Sequence, residues 1–282
     1  MSNILVTGAN GQLGSEIQEL SNNFEANYFF TDRNSLDITD QNALINYIQT
    51  NNIDTIINCA AYTAVDKAES DIENTNKVNH LSVKYLAEIA KEKNIKFVHV
   101  STDYVFDGKN YKPYTEDDTV SPNGIYGKTK LDGEKALQEI NPKNSIIIRT
   151  SWVYSSYGAN FVKTMLRLGK EKEQLGVIFD QVGTPTYAKD LAYTILEILP
   201  KIDNVNVEIY NYSNEGVLSW YDFAKEIMRM AKLKCKVNPI ETKEYPTPAT
   251  RPHYSLLNKA KIKHRLKLYT LFFRKIPRIQ SN

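Results

Sequence analysis

The run Ile4-Leu5-Val6-Thr7-Gly8-Ala9-Asn10-Gly11-Gln12-Leu13-Gly14 constrains the fold of this 282-residue chain more than any other feature. An apolar stretch passes straight into glycines spaced three apart, and a helix-forming segment at 15–20 comes next. That order predicts a strand, a tight turn and a helix N-terminus. Gly8 supplies the turn, Gly11 lets backbone approach a ligand, and Gly14 lets helix and strand pack closely. Exposed N–H groups and the positive helix end, with Gln12 and Leu13 in its first turn, then make a seat for a pyrophosphate. A βα turn with incidental glycines has the same pattern, so the weight of the motif rests on the rest of the chain.

Downstream of the glycines the chain alternates. Strand-like runs at 4–7, 28–31, 55–59, 97–101 and 146–150 are separated by helical patterns at 12–20, 41–50, 72–93 and 127–139. Such a sequence predicts βαβ units with right-handed crossovers and a Rossmann-type, doubly wound parallel sheet. Beyond residue 150 the alternation loosens into helices at 160–172, 189–199 and 220–230 and strands at 177–179 and 207–212. We therefore expect a dinucleotide-binding domain over 1–150, to which some later segments return. A smaller α/β substrate lobe over 151–263 and an atypical basic tail over 264–282 complete the chain.

Charge is distributed unevenly along it. The last 24 positions hold eight basic residues and no acid, so the preceding 258 carry 27 basic against 33 acidic residues. An acidic body argues against nucleic acid as a partner. No apolar run approaches the roughly 20 residues that span a bilayer. Cys59 and Cys235 fit neither a metal spacing nor a disulfide framework. The chain enters a strand at once, so no signal peptide is expected and the cytoplasm is the expected compartment.

In open α/β sheets ligands sit at the carboxyl ends of the strands, which directs attention to the residues just after each one. Asp32 ends the second strand, 18 residues after Gly14, where an acid binds the adenosine ribose of NAD. Arg33 beside it suits the 2′-phosphate of NADP, and Asp-Arg-Asn is also an ordinary polar turn, so the choice of NADH or NADPH stays open. Tyr126-Gly-Lys-Thr-Lys130 puts a phenol and an ammonium on one helix face. The cation favours phenolate, and a three-unit fall in its pKa corresponds to roughly 4 kcal/mol. Such a tyrosine can protonate a carbonyl being reduced. Tyr221 and Lys225 have the same spacing but lie far downstream of the sheet, and they read as an amphipathic helix. Ser101-Thr102-Asp103 ends the fourth strand. Either hydroxyl can serve the same carbonyl oxygen, and a strand-end turn favours the same residues.

Together the glycine triplet, Thr102, Tyr126 and Lys130 resemble the extended, nucleotide-sugar branch of the short-chain dehydrogenase/reductase family. Residues 61–69, 101–106, 126–134, 149–154, 160–167, 180–186 and 245–252, in that order, resemble the dTDP-4-dehydrorhamnose reductases within it. The resemblance implies NAD(P)H-dependent reduction of the 4-keto group of a dTDP-sugar. It implies that Gly11, Gln12 and Leu13 meet the pyrophosphate, Asp32 the ribose, and Asp37 and Ile38 the adenine. Ala61, Tyr62 and Thr63 would lie along the cofactor. Tyr126 would donate the proton, Lys130 would hold the nicotinamide ribose and lower the tyrosine pKa, and Thr102 would tune the transfer. Thr102, Asp103, Trp152, Asn160 and Arg251 would meet the substrate, Trp152 offering a flat face to a deoxysugar ring and Arg251 a cation to the diphosphate. Lobe-interface packing for Trp152 and a solvent-facing Arg251 are the alternatives.

Two other functions fit the same residues: another nucleotide-sugar reductase or epimerase, and a non-catalytic regulatory subunit, which would be expected to have lost Tyr126 or Lys130. The segment 264–277 departs from the family's closing amphipathic helix and is expected to be an irregular, poorly packed end. Glu16 matches one acid of the family's magnesium-bridged dimer, but the matching C-terminal acid is missing. A homodimer therefore stays open and no metal is expected.

Overall fold

The computed structural model of the chain describes residues 1–266. A sheet of six parallel strands forms its centre: β1 (Asn3–Thr7), β2 (Asn27–Thr31), β3 (Thr55–Asn58), β4 (Lys96–Thr102), β5 (Ser145–Thr150) and, after the other elements, β7 (Glu208–Asn211). Their spatial order is β7-β5-β4-β3-β1-β2, every adjacent pair running parallel. This is the doubly wound sheet expected from the alternation.

Why these runs become strands is visible in their burial. β3 and β5 are buried along their whole length, as a parallel sheet covered on both faces requires. Successive side chains point to opposite faces. Ile4, Val6, Ile57, Val98, Ile146 and Ile148 meet Leu13 and Ile17 of α1 (Gln12–Leu20) together with Leu191 and Ile195 of α6 (Ala188–Ile198). Leu5, Ile56, Phe97 and Ile147 meet the other layer: Leu44 and Ile48 of α2 (Gln41–Thr50), Val83 and Leu86 of α3 (72–93), and Leu137 of α4 (Ile125–Ile140).

The predicted helix at 72–93 is one run, α3, but not one kind of helix. Ile72–Asn76 and Ser82–Lys93 are α-helical, and Lys77–Leu81 between them is a π turn. The widened turn sets Asn79 inward, only 1 % exposed. Its amide then clamps the loop after β3, accepting from the Tyr62 N–H at 2.8 Å and donating to the Tyr62 carbonyl at 3.1 Å. An isolated π turn of this kind recurs at functional sites.

Beyond β5 a second core forms around Val162 and Met165 of α5 (Phe161–Glu171), Val177 of β6 (Gln174–Ile178), and Phe223, Ile227 and Met228 of α7 (Trp220–Met230). Tyr221 and Lys225 lie on α7, where the ammonium sits 5.3 Å from the ring of Tyr221. A strand that the apolar periodicity does not predict, β8 (Lys236–Ile240), pairs with β6 in parallel. It carries Pro239, which sequence rules move out of a strand and which an edge strand tolerates. α6 and β7 return to the central sheet and its helical layer rather than to this core.

The basic end begins in order: α8 (Ala260–Leu266) buries Ile262 completely. Its cations meet acids of the body, Lys259 and Lys263 at Glu215, Lys261 at Glu208 and Arg265 at Asp203. The irregular tail expected from 264 therefore starts as helix. The rest of that expectation, 267–282, lies outside the described residues.

Candidate active site

Strand order reverses between β1 and β3, so the crevice at their carboxyl ends is where this sheet admits a ligand. One wall is the glycine turn. Gly8 has φ +66°, and a Cβ there would lie 2.7 Å from the Ala60 backbone; at Gly14 it would lie 2.6 Å from the Cα of Ala9. Neither position accepts a side chain. Gly11 caps α1 with no side-chain hydrogen bond, and the first turn has no acid. The N–H groups of a nine-residue helix are thereby left to an anion, which is the observation that fits this turn to the pyrophosphate of NAD(P).

The adenosine side is polar. Asp32 accepts from Asn10 at 2.6 Å and from the Ser35 hydroxyl at 2.9 Å, and the Ser35 backbone and side-chain bonds hold its carboxyl below the usual range. Arg33 and Asp37 are exposed and Ile38 is buried. The loop 61–63 forms the opposite wall, pinned by Asn79 and by the Tyr62 hydroxyl on Asp71 at 2.9 Å.

At the carboxyl end of β4 the reactive groups converge. Tyr126, half-buried on α4, bonds the side chain of Thr102, and Tyr104 packs edge-on against it at 5.3 Å. Thr102 in turn donates to Asp103 at 3.1 Å and accepts from the Tyr104 N–H. Of the two hydroxyls open in the sequence, Thr102 is the one in this chain of bonds, whereas the Ser101 hydroxyl is buried without a partner among the described residues. Burial, aided by the Asp103 charge, pushes the Tyr126 phenol up to about 12 against the Thr102 bond. The expected depression by Lys130 is not seen. Its Nζ is turned inward, 2.6 Å from the Val100 carbonyl and 3.3 Å from His99 Nε2, and burial pulls its pKa down to about 8.

Asp103 is 3 % exposed, and one of its carboxylate oxygens has no hydrogen-bond partner among the described residues. Burial raises its pKa from 3.8 to about 6, against the pull of the Ser255 and Thr102 hydroxyls. The fold thus prefers Asp103 protonated: that contribution to stability is full below pH 3.8 and lost as pH rises through 6. Asp103→Asn is expected to raise stability by up to ~3 kcal/mol at pH 8 and by little near pH 4. Thermal melts at the two pH values check it; an equal shift at both would refute it.

Beside these groups opens a cavity of about 470 Å³, lined by Tyr104, Trp152, Phe161, Met165, Trp220 and Arg251 among others. Trp152 holds φ +49°, a strained setting for a bulky residue, and stacks on Trp220 with ring centroids 3.5 Å apart. It is at once a cavity wall and a packing element, so one ring face is covered. Arg251 faces the cavity but is not free: its guanidinium makes two 2.7 Å bonds to Asp66 and one of 2.9 Å to the Ala249 carbonyl. Thr102, Asp103 and Asn160 stand outside the lining. Asn160 caps α5 through the Lys163 N–H at 3.1 Å and reaches Gln12 of the glycine turn at 3.0 Å. It ties the lobe to the cofactor wall rather than facing the cavity.

A profile described as the RmlD substrate binding domain matches residues 1–276. The chain belongs to that family. Among its relatives is a dTDP-4-dehydrorhamnose reductase of Aggregatibacter actinomycetemcomitans, 44 % identical over 93 % of this chain and 92 % of its own. A crystal structure of a dTDP-4-dehydrorhamnose reductase from Clostridium acetobutylicum superposes with a TM-score of 0.89 at 44 % identity, covering 93 % of this chain and 92 % of that one. Another, from Bacillus anthracis in complex with NADP, gives 0.92 at 38 % identity over 96 % of each. An RmlD-family fold thus frames the site.

Sequence reasoning missed Asn58, Asn79, His99 and the pair formed by Arg149 and Glu134. All are polar and at most 3 % exposed. Polar residues inside apolar strand or helix periods were the available signal.

Proposed function

We propose that this protein reduces the 4-keto group of dTDP-4-dehydro-β-L-rhamnose to give dTDP-L-rhamnose, using NADPH or NADH, as the last step of dTDP-rhamnose synthesis for cell-surface polysaccharide. The observation that carries the reading is Tyr126, bonded to Thr102 at the carboxyl end of β4 and packed edge-on against Tyr104 of the aromatic cavity wall. When bound, the nicotinamide supplies the hydride. Gly11, Gln12 and Leu13 seat the pyrophosphate, and Asp32 or Arg33 meets the adenosine ribose or its phosphate. Ala61, Tyr62 and Thr63 border the cofactor, with Asp37 and Ile38 beside the adenine.

Trp152 and Trp220 give the deoxysugar an apolar floor and exclude water from the carbonyl. Arg251, preset by Asp66, offers its remaining N–H groups to a diphosphate. Tyr126 gives its proton to the carbonyl oxygen, and Thr102 holds the phenol in line for that transfer. A nucleotide-sugar reaction of this kind belongs in the cytoplasm.

The decisive experiment compares oxidation of NADH and NADPH, followed at the nicotinamide absorbance, with dTDP-4-dehydrorhamnose supplied. We expect net oxidation that depends on the sugar. Turnover of the sugar without net loss of reduced nucleotide would instead identify an epimerase.

A further inference from the structure

His99 is completely buried, which holds its imidazole neutral, and it takes no part in the proton transfer from Tyr126. Its ring lies between Asn58 and Lys130 in a chain of bonds whose directions can be worked out. The backbone N–H of Ala60 can only donate, and it meets Asn58 Oδ1 at 3.2 Å. The Thr7 hydroxyl donates to the same oxygen at 2.6 Å. With the amide oxygen so fixed, Asn58 Nδ2 faces His99 Nδ1 at 3.1 Å and must be the donor. Nδ1 then carries the lone pair, and the single proton of a neutral imidazole sits on Nε2, directed at Lys130 Nζ 3.3 Å away. Nζ has a second neighbour, the Val100 carbonyl, which can only accept.

An amine satisfies both neighbours, accepting from His99 and donating to Val100. An ammonium has only hydrogens to offer and meets the Nε2–H head-on. We propose that His99 is a positioning residue for Lys130: the chain from Ala60 and Thr7 through Asn58 fixes the Nε2–H tautomer of His99 and thereby favours Lys130 as a neutral amine anchored at the carboxyl end of β4. The inference rests on the proposed function only in reading Lys130 as the companion of Tyr126.

Burial acts in the same direction on both groups, holding His99 well below its ordinary range and Lys130 near 8. The ionisable groups facing Lys130 from its own helix and from the end of β3 are Glu134, whose carboxylate is taken by Arg149, and Cys59. Both oppose the shift. Among the described residues, Lys130 is the one charged group acting on His99.

The test uses the full chain labelled with 15N-histidine, which has four such residues. Two-bond 1H–15N spectra should show one histidine, lost in His99→Gln, as the Nε2–H tautomer that does not titrate near pH 6.5. Asn58→Asp keeps an oxygen for Ala60 and Thr7 but replaces the donor facing His99 by an acceptor. The proton should move to Nδ1, freeing Nε2 to accept from an ammonium. The kcat inflection expected from Lys130 near pH 8 should then rise by one unit or more, a change of about tenfold or more in proton affinity. His99→Gln, which can turn its oxygen to the ammonium, should shift it the same way. An Nδ1–H tautomer in the unsubstituted protein, or an unmoved tautomer in Asn58→Asp, overturns the proposal. Because the tautomer is read without substrate, it is decided even if a variant is inactive, and absence of reductase turnover would count against the function alone.

Discussion

Tyr126→Phe is expected to lower kcat by about 100-fold or more while leaving affinity for the nicotinamide nucleotide almost unchanged. The substitution removes one oxygen and keeps the ring that packs edge-on against Tyr104, so the crevice walls should stay where they are. What disappears is the hydroxyl that α4 offers to Thr102. The sign of the pH dependence comes from the phenol's raised pKa, about 12. Reduction consumes the protonated form, which is fully populated through the neutral range, and an alkoxide is a strong enough base to take the proton from it. Any inflection of kcat in that range is therefore expected from other groups, with Asp103 near 6 and Lys130 near 8 as the candidates. Initial rates of nucleotide oxidation, with a fluorescence titration of the bound nucleotide, separate the two effects. Turnover close to that of the unsubstituted protein would remove Tyr126 from the proton-donor role.

The sequence made the scaffold legible because its signals are local. Gly8, Gly14 and the apolar run before them report one turn, and the alternation of strand and helix periods reports the sheet. Placement of Tyr126 on the helix after β4 was legible for the same reason. Partners that meet only in three dimensions were not. Lys130 sits one helical turn from Tyr126, yet its Nζ is drawn to Val100 and His99, which no spacing rule anticipates. The π turn at Lys77–Leu81 is a small widening inside a helical period, invisible to apolar patterning but decisive for Asn79. Arg251 offered a cation on its own; that Asp66, 185 residues away, already pairs with it belongs to the tertiary fold. Trp152 was marked by its place after a strand, while its stacking on Trp220 depends on α7, which lies far along the chain.

Arg149→Met should destabilise the protein by ~3–5 kcal/mol, the range found when one partner of a buried ion pair is removed. Arg149 and Glu134 are 3 % and 0 % exposed. The guanidinium reaches both carboxylate oxygens, with Nη2 at 2.7 Å and Nε at 3.1 and 3.2 Å, donates to the Glu116 carbonyl, and lies 5.1 Å from the Phe106 ring. Methionine fills much of the stem's volume but leaves the Glu134 carboxylate buried without its cation, so the cost is mainly electrostatic rather than a cavity. At the scale of a chain this size the thermal midpoint should fall by roughly 10 °C. Arg149→Met combined with Glu134→Leu removes the stranded charge and should recover most of the loss, because replacing a whole buried pair by apolar groups is often neutral. The pair joins β5 to α4, the helix that carries Tyr126 and Lys130. The double variant therefore also asks whether the ion pair positions that helix. Recovered stability with unrecovered kcat would assign it that role, and full recovery of both would make it packing alone. A midpoint unchanged by Arg149→Met would show that the buried carboxylate finds another partner.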